Sequence, residues 1–305
     1  MTAPVHLRHP DRGQLLKQTR RRLAELWTPS RGSRYVIKPN LCAAAPADLG
    51  ATTDPELVEA LILHIQDHGA KACVVELPPH IRDVEQVFAV TGYRALCQRL
   101  GVDLVDPERQ GGFVDAGPML GRLRCQVARA AIESDGVVNV PKIKSHVRAH
   151  FTCAVKNLMG LTDMPTRHAM HVLGIHRGVA DLYRCLGQRV VFNVVDAVVA
   201  MEGDGPTRGE PLRLDSVFMG PDALACDLYL ARALGVDLLA ARYLAMLVRD
   251  GAQVPPAPEP LLDRPLRPAT DPRPNLTYLR EALITQPTLR RVFQRVGFDR
   301  WRSRP

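Results

Sequence analysis

Apolar residues along this chain recur in two rhythms, and the alternation between them predicts its architecture. Leu15, Leu16, Leu23 and Leu26 share one face of a basic segment and predict a helix over 11–27. A short apolar run at 35–37 reads as a strand that ends in Lys38-Pro39-Asn40. An Ala- and Pro-rich loop follows through residue 51. Thr53 or Asp54 then caps a helix with Pro55 in its first turn, Leu57, Leu61, Ile62 and Ile65 on its apolar face, and Gly69 at its end. Residues 72–77 read as a strand, 87–100 as a helix and 102–105 as a strand. A short element is expected over 127–134. Strands follow at 136–140 and 189–199, a short extended piece at 217–219, and a helix over 223–234 opened by Pro221-Asp222. Strand–helix–strand alternation of this kind predicts an α/β fold: a doubly wound, mostly parallel sheet with helices on both faces and a C-terminal helical tail.

Proline density sets the expected boundaries. Positions 255, 256, 258, 260, 265, 268, 272 and 274 are all proline, too many for a regular element. The chain is therefore expected to divide into a basic N-terminal helical extension (1–34), an α/β domain (35–250), a Pro-rich linker (251–274) and a basic helical tail (275–305).

Charge is placed unevenly. The net charge is +8, of which residues 1–34 carry +6 and residues 276–305 carry +5, leaving −3 on the rest. Basicity belongs to the ends, which argues against a nucleic-acid binder and fits solvated terminal helices. No apolar run approaches the length of about 18 residues that a membrane span needs, and the first residues lack the apolar core of a signal peptide. A cytoplasmic protein, not a membrane protein, is the expectation, with a homo-oligomer open. The seven cysteines contain no CxxC pair, which speaks against an iron–sulfur cluster or a zinc ribbon and for reduced thiols.

Four segments carry candidate chemistry. Lys38 and Asn40 end a strand near Thr53, at a helix start whose N–H groups suit an anion; simple capping explains Thr53 equally well. The segment from Lys142 to Lys156 holds Lys142, Lys144, His146, Arg148 and His150 with no carboxylate, and Asn157 follows. If it is helical from Ser145, His146 and His150 lie four apart on one face, a spacing that ligates metals, although the Glu of a zincin is missing. Lys156 sits in an apolar frame that would lower its pKa; a snorkelling lysine with a partner is the alternative. His168 and His171, with His176, extend a cluster that takes in half of the ten histidines. That cluster would bind a metal, shuttle protons or form a polar mobile loop over a ligand. Finally, Asp196 and the glycine-rich stretch from Met201 to Gly209 bring Glu202 and Asp204; the glycines also serve turn geometry.

In order, these blocks are Lys38-Pro39-Asn40-Leu41, residues 50–55, residues 139–146, residues 154–160, residues 194–196 with 201–209, and residues 221–227. Together they resemble the domain of unknown function 362 family over about residues 35–240. The resemblance implies an α/β domain whose loops hold a small-molecule or cofactor site. Many members carry a ferredoxin-like module with cysteine quartets, which this chain lacks. The block from His146 to Lys156 is also faintly similar to the nickel-pincer lactate racemase, where a lysine holds the cofactor; that places Lys156 among the residues to test without assigning it pincer chemistry.

The sequence thus points to an enzyme acting on a small anionic molecule by redox or isomerase-type chemistry. Lys156, His146, Asp196 and Glu202 are the expected catalytic residues. Lys38, Asn40, Thr53, Lys142, Lys144 and Asn157 are expected to bind substrate, and His146, His150, His168 and His171 are candidate ligands of a divalent metal. The alternatives are a non-catalytic protein that binds a metal or metabolite, and an accessory protein that docks an acidic partner. Lys38, His146, Lys156, Asp196 and Glu202 are expected to converge on one cleft at the carboxyl edge of the sheet.

Overall fold

The computed structural model describes residues 2–79, 83–121 and 123–270. The chain opens with β1 (Val5–Arg8) and α1 (Arg12–Leu26), the latter capped by the Asp11 carboxylate. Next come β2 (Arg34–Lys38), α2 (Pro55–Asp67) and β3 (Lys71–Val75), with Asp54 as the cap of α2 and Pro55 in its first turn. The helix expected over 87–100 is two helices, α3 (Val84–Val90) and α4 (Tyr93–Leu100). Gly92 between them adopts φ +81°, a left-handed conformation that ends one helix and starts the other.

β4 (Asp103–Val105), the hairpin β5 (Phe113–Met119) and β6 (Leu123–Ala128), α5 (Arg129–Glu133) and β7 (Gly136–Asn139) follow. Then come β8 (Lys142–His146), β9 (His150–Thr152), α6 (Ala154–Asn157), α7 (Met164–Leu173) and α8 (Ile175–Leu186). The last elements are β10 (Val190–Glu202), β11 (Glu210–Gly220), α9 (Ala223–Ala233) and α10 (Arg242–Arg249).

The main sheet runs β1-β11-β10-β7-β2-β3-β4. The five strands from β10 to β4 are mutually parallel, and β11 pairs antiparallel with both β10 and β1. Successive residues of a strand face opposite sides, and the core divides accordingly. Tyr35, Ile37 and Val138 pack with Leu15, Leu61, Phe88 and Leu96 of α1 to α4. Val36 and Val137 pack with Ala131, Val155, Val179, Leu228 and Leu244 from α5, α6, α8, α9 and α10. Helices therefore cover both faces of a mostly parallel sheet.

Two departures from expectation shape the site. Residues 1–34 are built into the domain: β1 is an edge strand, and Leu15 and Leu23 of α1 are fully buried. Residues 251–270 hold no helix or strand, as their prolines require, yet they strap onto the body. Leu261 N donates to Ala233 O at 2.8 Å, Leu266 N to Leu234 O at 2.7 Å and Gly203 N to Arg267 O at 2.9 Å. The expected tail at 275–305 lies outside the described residues. None of the described helices is long and apolar enough to cross a membrane.

Candidate functional site

β7 ends at Asn139 because Pro141 has no N–H to continue the ladder. The chain steps sideways and resumes as β8 beside the far half of β10, with Lys142 opposite Asp196 and Lys144 opposite Met201. Lys142, Lys144 and His146 therefore alternate along a strand, two residues apart. The helix expected from Ser145 is instead a hairpin: β9 folds back antiparallel, and His146 and His150 are cross-strand partners. His150 turns the hairpin at φ +63° and is exposed.

The four lysines of this region divide into two kinds. Lys38 Nζ donates to Glu76 Oε2 at 2.8 Å, and Lys142 Nζ to Asp196 Oδ2 at 2.9 Å; all four groups are buried. Both pairs are structural in form. Glu76 Oε2 also accepts from Leu41 N, and the Asp196 carboxylate from Asp54 N and Val198 N. Burial pushes the Asp196 carboxyl up against the opposing pull of Lys142, and burial lowers Lys38 against the opposing pull of Glu76. The Lys38–Glu76 pair also explains Gly160, where a Cβ would lie 2.2 Å from Glu76 Oε1 and 2.5 Å from Lys38 Nζ.

Lys144 and Lys156 have no carboxylate partner among the described residues. Lys144 Nζ is held by neutral acceptors: Asn40 Oδ1 and Ala51 O, both at 2.7 Å, and Cys42 Sγ at 3.1 Å. No hydrogen bond or ion pair engages Lys156 Nζ among the described residues. Its pKa falls to about 7, first through burial, then through Lys144 and Arg167, with Cys42 opposing.

His146 and His171 are both pushed well below the ordinary histidine value, first by burial and then by Lys156. His171 on His146, and His168 on His171, contribute in the same direction, with Arg148 acting on both. His176 falls to about 4 by burial, with His150, Arg242 and Lys156 adding to it. These residues form one basic cluster that reaches solvent at His150 and at half-buried Arg148 and Lys156.

His168 and His171 lie on α7, which Asp163 caps, so the segment is a helix and not a mobile loop. Among the described residues no group of three or more His, Cys, Asp or Glu is placed to hold a metal ion. The proposed ligands His146, His150, His168 and His171 are spread over a hairpin and a helix, and His146 Nδ1 is occupied by backbone N–H groups.

Behind the cluster runs a directional chain of amides. Lys144 Nζ donates to Asn40, whose Nδ2 donates to Asn157 Oδ1 at 2.9 Å. Asn157 Nδ2 donates to Asn139 Oδ1 at 2.8 Å, Asn139 Nδ2 to Asn193 Oδ1 at 3.0 Å, and Asn193 Nδ2 to Gly220 O at 3.1 Å. Thr53 braces the same loop: its Oγ1 accepts from Asn40 N and donates to Val140 O. Lys38, Glu76, Asn139 and Asn40 lie at or just past the carboxyl ends of parallel strands, where ligands gather in such sheets. Lys156 is placed by Asp227 of α9, which accepts from Ala154 N and Val155 N at the start of α6.

The expected five-residue convergence is partial. His146 and Lys156 are near enough to act on one another electrostatically, and Lys38 is tied to the same region through Lys144 and Arg167. Asp196 is spent on Lys142 and Asp54, and Glu202 on the strap. Arg264 bonds Glu202 bidentately at 2.8 and 2.6 Å, and Arg267 N adds a third bond at 3.1 Å. Sequence reasoning missed Cys42, Glu76, Arg167, Asn193 and Asp227. Asn139 and Asp227 stood in the quoted blocks, but nothing in their spacing showed what they would touch.

Residues 36–232 match the family described as Domain of unknown function (DUF362), and the chain belongs to that family. It is 28% identical over 215 residues to the thylakoid-associated protein sll1697 of Synechocystis sp. (strain ATCC 27184 / PCC 6803 / Kazusa), a match covering 68% of this chain. The chain spans 64% of that relative's length. The lactate racemase apoprotein of Thermoanaerobacterium thermosaccharolyticum superposes with a TM-score of 0.46 at 12% identity, over 73% of this chain and 54% of that one. So loose a likeness carries nothing about chemistry.

Proposed function

We propose that the protein is an enzyme that binds a small anion at the basic cluster and moves a proton on it, isomerase-type chemistry with Lys156 as the base. The observation that carries this reading is the contrast among the lysines. Lys38 and Lys142 are neutralised by Glu76 and Asp196, whereas among the described residues Lys144 and Lys156 face only neutral or cationic groups and the Cys42 thiol. Uncompensated cations in a buried setting favour an anionic ligand, which supplies the missing charge. A lysine with a pKa of about 7 is half neutral at physiological pH and takes a proton without a large driving-force penalty.

The chain's residues then divide the work. Lys144, held by Asn40 and Ala51, supplies fixed positive charge, and Lys156 accepts the proton and returns it. The amide chain behind them keeps Lys144 and Asn40 in place. The test incubates the protein in D2O with a panel of small chiral hydroxy- and oxo-acids and follows loss of the α-proton signal by NMR. Exchange that disappears in Lys156→Met supports the reading. Saturable anion binding without exchange in any acid of the panel would make this a non-catalytic metabolite-binding protein. Exchange that survives in Lys156→Met would overturn the role of Lys156.

A further inference from the structure

His146 is 5% exposed, and its ring is oriented by the hairpin it belongs to. Arg148 N donates to its Nδ1 at 3.0 Å and Ala149 N to the same atom at 3.2 Å. A backbone N–H has only a proton to offer, so Nδ1 is the acceptor and the ring proton sits on Nε2. No protein acceptor engages Nε2 among the described residues. Nε2 is not among the buried side-chain atoms left without a partner, so this N–H meets solvent, where a ligand oxygen can take the place of water.

We propose that His146 is held as the Nε2–H tautomer and donates that proton, as a hydrogen bond, to an oxygen of the bound ligand, so that the site takes small acids carrying a carbonyl or enolate oxygen beside the charged group. The inference rests on the anion-binding reading above and names the substrate class for it.

The chemistry follows from the charged groups that act on the ring. Lys156 from α6, His171 from α7, Lys144 from its own strand and Arg148 from the hairpin turn are cations or potential cations. No carboxylate is among these neighbours, so none of them stabilises an imidazolium. Burial and these neighbours together keep His146 neutral. A neutral imidazole is a better match than an imidazolium for an oxygen that gains charge only during proton removal, because it does not surrender its own proton. The ring thus polarises the carbonyl while Lys156 removes the neighbouring proton, and no net proton leaves His146. The same occupancy of Nδ1 explains why His146 is not free to ligate a metal through that atom.

The experiment uses the full chain, uniformly 15N-labelled, with oxalate as a mimic of a planar enediolate and inorganic phosphate as a plain anion. Long-range 1H–15N correlation, assigned by loss of the signal in His146→Phe, is expected to show a protonated Nε2 and a bare Nδ1 at neutral pH and below the ordinary histidine value. Oxalate should shift the Nε2 signal, and His146→Phe should weaken oxalate by about tenfold or more while leaving phosphate within about twofold. A proton on Nδ1, or a ring that titrates near its ordinary value, would overturn the proposal. Equal weakening of oxalate and phosphate would overturn it too, while leaving the anion-binding reading intact. A wild-type protein that binds neither anion would overturn both.

Discussion

Asn40 Nδ2 donates to Asn157 Oδ1 at 2.9 Å, across 117 residues of sequence. That bond fastens the loop after β2 to α6, the four-residue helix that carries Lys156. It is one link in a chain of buried amides in which each nitrogen donates to the next oxygen, so cutting it strands a donor and an acceptor together. Asn157→Ala is expected to cost about 2–4 kcal/mol of stability, more than one exposed hydrogen bond would. Urea unfolding at fixed pH measures it, and a loss below about 0.5 kcal/mol would mean that the chain is not cooperative.

The buried pair of Lys142 and Asp196 predicts a different pattern. Removing one partner leaves a charge in the core, so Lys142→Met should cost about 3–5 kcal/mol, whereas the double change with Asp196→Asn should recover much of it. Thermal unfolding of the two single variants and the double variant decides this. Three additive losses would show that the pair is not coupled.

Much of this architecture was legible in the chain. The Thr53-Asp54-Pro55 helix start, the strand–helix alternation through residue 105 and the strand before Asn139 follow from capping chemistry and apolar period. The site was harder. Lys142, Lys144 and His146 stand two apart, the period of a strand, but the spacing of His146 and His150 suggested a helix. Only pairing with β10 selects the strand. Lys38 and Asp196 looked like free site charges because their partners, Glu76 and Lys142, lie 38 and 54 residues away. Long-range pairing of this kind has no local signature. Glu202 illustrates the same limit, since its partners belong to a segment that composition alone marked as a linker.

Glu202 yields a prediction with a pH signature. Its carboxyl is held below the usual carboxylate range, first by hydrogen bonds from Arg264. A depressed acid stabilises the fold above its unfolded pKa and loses that contribution as pH falls through the folded value. Glu202→Gln should therefore cost about 1–3 kcal/mol near neutral pH and progressively less below about pH 4.3. Protease cleavage within residues 255–270 should quicken in the variant. Proton exchange lost without any loss of stability would return Glu202 to the chemistry.

Lys156 should act in the opposite sense. Its folded pKa of about 7 lies below the unfolded value, so the unfolded chain binds the extra proton between the two. Stability therefore rises with pH from about 7 to about 10.4, and below about 7 the full cost of charging Lys156 in the folded state is felt. Lys156→Met should stabilise the protein at neutral and lower pH, by on the order of 2–4 kcal/mol, with the gain fading toward pH 10. Denaturant midpoints across that range test it, and a destabilised Lys156→Met would mark the side chain as structural.

Titration of Lys156 reads the proposed base itself. With lysine 13C-labelled at Cε, the Lys156 resonance, identified by its loss in Lys156→Met, should titrate with a midpoint near 7 and move upward when oxalate or phosphate is added, because a bound anion favours the ammonium form. A midpoint near that of the exposed lysines, unmoved by either anion, would contradict the account.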